Sequence, residues 1–482
     1  MKRTRLATLL VAVVASAGCG DPETGGPASG DAAGGGGDGG GGPGGDGAGP
    51  GPDAGPSACP GPASPKRGAA WVRANPMFIS GLTVQMPAPG PAAVSDYFDG
   101  FHASAVHLWL DGLPTAMSAW RGPANHRFVA WVRDDGTALN NQLVGGYPAA
   151  VPGRIGYQIG DEPASMAALV QMAQGLAAVR AHDPDALVYV NFSVAPDELA
   201  DMLEYYGTTT SGDVISYDRY SRSNSTYNSL EQFRAAGLRF GLPYWAYLRS
   251  YRGPGSTDSS PSDMRWDVYR HATYGFTGYS WFVYQMTLNN DPFIEGVSLF
   301  AQTGDFAAGK TPAFAVASGL NVELANLGRT LTQLTSTDVR YLAASVLSQP
   351  PGTRDWAAGA GGDPYLTGVS PRGNLAELLV GFFVDDCGDH YLMVQNPNHT
   401  GGSFPVDSAS AVTVDLTFDF AAAPADVARD QLQVLDATTG AIGTTPLVVS
   451  GAGATLALTL AAGDARLLKY RTSRPFVVQP AP

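Results

Sequence analysis

The chain is short of charge, short of cysteine and lacks any nucleotide-binding turn, and each shortage closes off a class of function. Lys, Arg, Asp and Glu make up 15% of its 482 residues, against about 25% in an average globular protein. The charge present is acidic, with a formal net of -14, and no stripe of Lys or Arg exists to neutralise phosphates. Nucleic acid is therefore not expected as a partner. Zinc-ligand spacing, a P-loop and a nucleophile elbow are all missing, and no glycine-rich turn follows the first apolar run, so no metal and no cofactor is expected. Three cysteines occur, Cys19, Cys59 and Cys387. That number allows one disulfide in an oxidising compartment and excludes a disulfide-built scaffold.

Long apolar runs are missing too. Leu6 to Ala15, behind Lys2, Arg3 and Arg5, is too short to span a bilayer and reads as the core of an export signal. Ser16-Ala17-Gly18-Cys19 then resembles a bacterial lipobox, which implies lipidation of Cys19 and an outer-membrane or cell-surface lipoprotein, with plain secretion as the alternative. From Gly20 to about residue 68 the chain is mostly Gly, Pro, Ala and Asp. Such a segment cannot bury enough apolar surface to offset its ordering entropy, so a flexible tether is expected. With Cys19 lipidated, Cys59 and Cys387 are left as a disulfide pair that would pin the tether to the fold; two free thiols are the other reading.

What is plentiful is apolar and aromatic residue, at 44% and 10%. Eight short apolar runs follow one another: Met77–Met86, Ala105–Asp111, Arg127–Arg133, Ile155–Gly160, Ala186–Val194, Asp213–Tyr217, Phe240–Tyr247 and Tyr279–Tyr284. They are rich in strand-favouring residues. Several are separated by helical patterns, such as Met166–Arg180 with Leu169, Met172, Leu176 and Val179 on one face, and Thr311–Leu334 reads as a closing helix. Eight strands alternating with helices predict a (β/α)8 TIM barrel over residues 69–336; an open doubly wound sheet is the alternative. Residues 337–482 change to short alternating runs such as Thr455–Leu460, joined by turns such as Thr439-Gly440, and predict a C-terminal antiparallel β-sandwich.

In a TIM barrel the carboxyl ends of the strands share one cleft. The residues falling there are Trp109 and Asp111 after the second run, Trp131 in the third, Asp161 and Glu162 after the fourth, Asn191 in the fifth, Tyr217, Asp218 and Tyr220 at the sixth, Trp245 and Tyr247 in the seventh, and Trp281 and Tyr284 in the eighth. Carboxylates interleaved with aromatics suit saccharides, whose C–H faces lie on rings while polar groups bind hydroxyls. Cleaving a glycosidic bond needs a carboxylic acid to protonate the leaving oxygen and usually a second carboxylate opposite. Blander readings stand beside these. Asp161 before Pro163 suits a helix cap, Asp218-Arg219 suits an ion pair, and Trp245 and Trp281 suit barrel core. Asn191 suits a loop, Arg249 a solvated surface, and His107 and His271 packed or surface positions.

The runs Gly156-Tyr157-Gln158-Ile159-Gly160-Asp161-Glu162-Pro163, Asp213 to Tyr220 and Ser262 to Tyr279 resemble bacterial secreted glycoside hydrolases of the clan A barrel type. The resemblance covers about residues 76–334 and implies an oligo- or polysaccharide substrate, with Glu162 as the acid/base. It departs from the clan in two places. Asp161 stands where Asn is usual, and the seventh run, Pro243-Tyr244-Trp245-Ala246-Tyr247-Leu248, ends without the nucleophile Glu. Asp218 or Asp161 is then the expected partner of Glu162, with Asp161 in the substrate-orienting role of an Asp-Glu pair as one version. A glycan-binding protein without catalysis is the alternative.

Overall fold

A computed structural model describes residues 65–84, 86–109, 113–134, 136, 139, 149, 151–194, 197–221, 224–252, 259–287, 296–344, 349–373, 377–400 and 409–479. Eight strands close into a parallel barrel: β1 (Phe78–Val84), β2 (Val106–Trp109), β3 (Phe128–Val132), β4 (Arg154–Ile159), β5 (Leu187–Ser193), β6 (Val214–Asp218), β7 (Tyr244–Arg249) and β8 (Gly278–Met286). Each pairs with its sequence neighbours, and β8 returns to β1 with Ser80 opposite Ser280. The expected TIM barrel is the observed fold. Local signals set the element ends. The helix Thr226–Phe240 stops at Gly241, whose φ of 64° is the left-handed conformation of a helix terminus. Phe240 therefore closes that helix instead of opening β7. The helix Pro261–Tyr274 starts with a reciprocal capping box between Ser260 and Asp263.

The amino end of the barrel is plugged. The helix Arg67–Ala74 packs Val72 into a floor of Phe78, Val129, Leu187, Tyr189, Val214 and Trp245. Its Gly68 sits so close to the chain at Asp213 that an added Cβ would meet the Asp213 carbonyl oxygen. The carboxyl ends of the strands are thus the end left for a site.

Behind the barrel lie ten more strands: β9 (Thr335–Leu342), β10 (Leu366–Pro371), β11 (Leu378–Val384), β12 (His390–Gln395), β13 (Val412–Asp419), β14 (Gln431–Leu435), β15 (Ile442–Pro446), β16 (Val448–Ser450), β17 (Gly453–Leu460) and β18 (Ala465–Tyr470). They form two antiparallel sheets, β9-β11-β12-β18-β14-β15 and β10-β13-β17-β16. Between them lie Leu366, Val380, Phe382, Leu392, Val414, Leu416, Phe418 and Leu456. The expected β-sandwich is present. It packs on the helix Pro261–Tyr274: Gly381 leaves no room for a Cβ beside the Thr273 carbonyl, and Arg265 Nε donates to the Ala462 carbonyl at 2.9 Å. His399 stacks on Trp266 at 4.0 Å while its Nδ1 lies 2.7 Å from Asp263 Oδ1. Among the described residues no helix is long and apolar enough to cross a membrane.

Cys387 is disulfide-bonded, in a turn whose Asp386 pairs with Arg73 at 2.5 Å. Cys19, Cys59 and Asp111 lie outside the described residues.

Candidate active site

Strand parity decides which side chains can reach the mouth, because successive residues on a barrel strand face opposite sides. On β2 to β6 the inward set includes His107 and Trp109, Trp131, Gln158, Asn191, and Ser216 and Asp218; on β7 it includes Trp245 and Tyr247. Contacts across the barrel confirm this. Tyr247 Oη donates to Gln158 Oε1 at 2.6 Å and lies 3.0 Å from His107 Nδ1, while Ser216 Oγ donates to Asn191 Oδ1 at 3.0 Å.

Beyond β4 the backbone makes an unusual exit. Gly160 takes φ 58° and Glu162 takes φ 41°. Side-chain-bearing residues seldom adopt that left-handed region, and where they do the surrounding structure must hold them there. The holding bonds are visible. Glu162 N–H donates to the Asn191 carbonyl at 2.9 Å, and Trp131 Nε1 donates to the Gly160 carbonyl at 3.0 Å. A Cβ on Gly160 would lie 2.8 Å from Met172 Cε and 3.1 Å from Asp134 Cβ, so the Met172 side chain would have to shift to admit one. Asp161 does not cap the following helix; Ser165 does, accepting from Ala168 N.

Three carboxyls gather at this exit. Asp161 Oδ1 accepts from Gln158 Nε2 and from Asn191 Nδ2, both at 3.1 Å. Burial, and then the charge of Glu162, push the Asp161 carboxyl well above the usual range; the two amide donors pull the other way. Asp218, at the end of β6, is also pushed well up, first by burial and then by the charges of Glu162 and Asp161 and by a hydrogen bond shared with Glu162. Its Oδ1 is buried and receives no N–H or O–H donor. Glu162 is the most exposed of the three.

Aromatic rings flank the acids. Trp109 and Trp131, both partly exposed, stack at 4.9 Å with 28° between planes. On the other side Tyr220 stacks on Phe282 at 5.5 Å and meets Tyr251 edge-on at 5.3 Å, with the Arg249 guanidinium 4.9 Å over the Tyr251 ring. Arg249 is thus half-buried at the end of β7, where no acid stands.

Several expected residues are placed elsewhere. Tyr217 faces outward, its hydroxyl 2.7 Å from His271 Nε2 and its ring stacked on Phe233. Trp281 also faces the helices, donating to Asn321 Oδ1 at 2.8 Å. Tyr284 packs among Tyr97, Phe101 and Phe314. Trp245 faces inward but in the floor, stacked on Phe78 at 4.5 Å. Parity excludes Tyr217 and Trp281, the register irregularity of β8 against β1, where Gly81 pairs with Trp281 and Thr83 with Gln285, accompanies the outward turn of Tyr284, and depth excludes Trp245. Asn191 donates to Asp161 and Tyr247 reaches it only through Gln158, both within the barrel instead of lining the opening. Arg219 donates to Ser225 and Ser229 Oγ. The residues not anticipated are Gln158, Ser216, Tyr251 and Phe282, while His107 takes the packed position expected of it. Gln158 and Ser216 could have been found by stepping back along the inward face from Asp161 and Asp218. Among the described residues no group of three or more His, Cys, Asp or Glu is arranged to hold a metal ion.

The fold and site together define an eight-stranded parallel barrel with a carboxyl cluster at its open end. No protein-family model matches the chain, and no curated protein matches it. Among solved structures the chain is similar to a rhamnosidase from Novosphingobium sp. PP1Y, at 10% identity over 66% of this chain and 40% of that one, TM-score 0.41. It is also similar to a GH27 β-L-arabinopyranosidase from Geobacillus stearothermophilus, at 10% identity over 85% and 98%, TM-score 0.41. The carboxyl transferase domain of Rhizobium etli pyruvate carboxylase is a further match, at 11% identity over 53% and 48%, TM-score 0.30. The chain spans less than two thirds of the length of the first of these, and none of the likenesses identifies what it acts on.

Proposed function

We propose that the chain is a glycoside hydrolase in which Glu162 delivers a proton to the glycosidic oxygen and Asp218 is its partner carboxylate. The observation that carries this reading is that Glu162, beyond the end of β4, and Asp218, at the end of β6, lie close enough for the charge of Glu162 to raise the Asp218 carboxyl, beside the stacked Trp109–Trp131 pair. Two neighbouring carboxyls, with that of Asp218 raised by burial and by its neighbours, are what a general acid and its partner require. The tryptophan pair offers a ring face to a sugar, and Tyr220 with Phe282 offers a second wall.

The same reading places the enzyme at a cell surface. Cys19 is lipidated, residues 20–68 form the tether, residues 69–336 the barrel and residues 337–482 the sandwich, and Cys59 is the disulfide partner of Cys387. Mass spectrometry of the exported protein tests the lipid, and a non-reducing peptide map tests the Cys59–Cys387 link.

The activity is tested by incubating the protein with a panel of alkyl glycosides and polysaccharides and measuring reducing ends. Release by the wild type, reduced by orders of magnitude in Glu162→Gln, is the expected result; equal release by both sinks the assignment. A second reading, glycan binding without cleavage, is favoured by the end of β7, which presents Arg249 and no acid. Binding on a glycan array with no release from the same glycans would select it.

A further inference from the structure

The hydrogen bonds behind Asp161 can run in one direction only. Gln158 Nε2 donates to Asp161 Oδ1 at 3.1 Å and to the Gly160 carbonyl at 3.2 Å. Turning the amide over would aim its oxygen at two acceptors. Gln158 Oε1 must therefore accept, and it accepts from Tyr247 Oη at 2.6 Å. A phenol has one proton. With that proton spent on Gln158, the contact of 3.0 Å between Tyr247 Oη and His107 Nδ1 requires His107 to donate from Nδ1. His107 Nε2 is then a bare lone pair, and it is buried without a partner. Burial lowers the His107 pKa to about 3, so the ring stays neutral and the chain keeps its direction.

A second arm obeys the same logic. Ser216 Oγ donates to Asn191 Oδ1, which leaves Asn191 Nδ2 as the donor to Asp161 Oδ1. Both arms deliver an N–H to the same oxygen of Asp161. Burial and neighbouring charge raise both carboxyls, and Asp218 has a single donor, Tyr220, with none on its Oδ1, against the two amide donors on Asp161. Three carboxyls in one site cannot all be charged, and hydrogen bonds from donors favour the charged form of the group that accepts them. The other titratable groups facing this cluster are Tyr189, Tyr220, Tyr247 and Glu162 itself, and Asp134 borders Gly160.

We infer that His107, Tyr247 and Gln158, with Ser216 and Asn191, are positioning residues that hold Asp161 as the fixed anion of the site and so confine the mobile proton to the Glu162–Asp218 pair. The inference rests on the hydrolase reading for its purpose, since it gives the proton to the pair that would use it. It rests on the hydrogen-bond directions alone for its content. In the substrate complex the fixed charge on Asp161 suits a donor group of the sugar, a hydroxyl or an amide N–H, next to the bond being cut.

Carboxyl infrared difference spectroscopy of the full chain at neutral pH tests this without any substrate. The variant-minus-wild-type spectrum of Glu162→Gln, and that of Asp218→Asn, should each show loss of one protonated-carboxyl band. Asp161→Asn should lose a carboxylate band instead. Loss of the protonated band in Asp161→Asn, or its absence from the wild type, overturns the inference. Tyr247→Phe keeps the ring and cuts the chain, and the titration of Asp161 should move up. A titration curve unchanged from the wild type would reduce Tyr247 to packing. Failure of hydrolysis with these spectra intact would remove the hydrolase reading and leave the inference standing.

Discussion

Replacing Asp218 by Asn should stabilise the protein, and should do so more at neutral than at acid pH. Folding takes this carboxyl out of water, sets it beside Glu162 and Asp161, and leaves its Oδ1 with no donor. Its pKa in the folded state therefore lies above the unfolded value of about 3.9. Between those two values the folded chain binds more protons than the unfolded chain, so wild-type stability declines as pH rises through the interval. Each unit of that displacement is worth about 1.4 kcal/mol at a pH above both values. Asn is isosteric, does not titrate, and brings an N–H that Glu162 can accept. In a chain of this length ~1 kcal/mol moves the melting temperature by about 1–2 °C. Thermal melts of both proteins from about pH 4 to about pH 8 should give curves that nearly coincide at the acid end and separate progressively above it, with the variant higher. A variant that melts lower throughout, or a gap independent of pH, would refute the claim that Asp218 is a strained, protonatable member of the cluster.

Other consequences are as direct. Trp131→Ala should weaken oligosaccharide affinity, read as a rise in KM or in Kd by calorimetry, because it removes half of the stacked pair and the bond to the Gly160 carbonyl. Trp245→Ala should destabilise the fold by about 3–5 kcal/mol while leaving KM of the folded fraction unchanged, since this ring fills the barrel floor; chemical denaturation and kinetics separate the two effects. Ser165→Ala should cost ~1 kcal/mol through loss of the helix cap, measured the same way. Gly160→Ala should lower both stability and activity, because it meets Met172 at a left-handed position.

The architecture was legible because each barrel strand is a short apolar run bounded by turn residues, and all eight runs became strands. Phe240 misled because an aromatic at a helix end looks like the start of a strand, and only the Gly241 terminus divides the two. β9, β10 and β15 carry little strand signal: Thr335–Leu342 opens with four polar residues, Ile442–Pro446 has one large apolar residue, and Leu366–Pro371 is interrupted by Gly368 and Pro371. At the site, position along the chain found Asp161, Glu162 and Asp218 but could not tell inward from outward aromatics. Tyr217, Trp281 and Tyr284 are rich in surface to bury and face the helices, where apolar partners wait. The inward face under the acids is polar, His107, Gln158, Asn191 and Ser216. Parity counted back from the carboxylates is the signal that separates the two sets.

The most direct test of Glu162 as proton donor is the leaving-group dependence of its loss. Glu162→Gln and the wild type should be compared on two glycosides of the sugar that the wild type cleaves, one with an alkyl alcohol as leaving group and one with 2,4-dinitrophenol. The alkyl glycoside needs a proton on its departing oxygen, and kcat/KM should drop by about 10²–10⁴-fold; the dinitrophenyl glycoside leaves without one and should be cleaved at close to the wild-type rate. Equal losses on both, or none on either, would contradict the account.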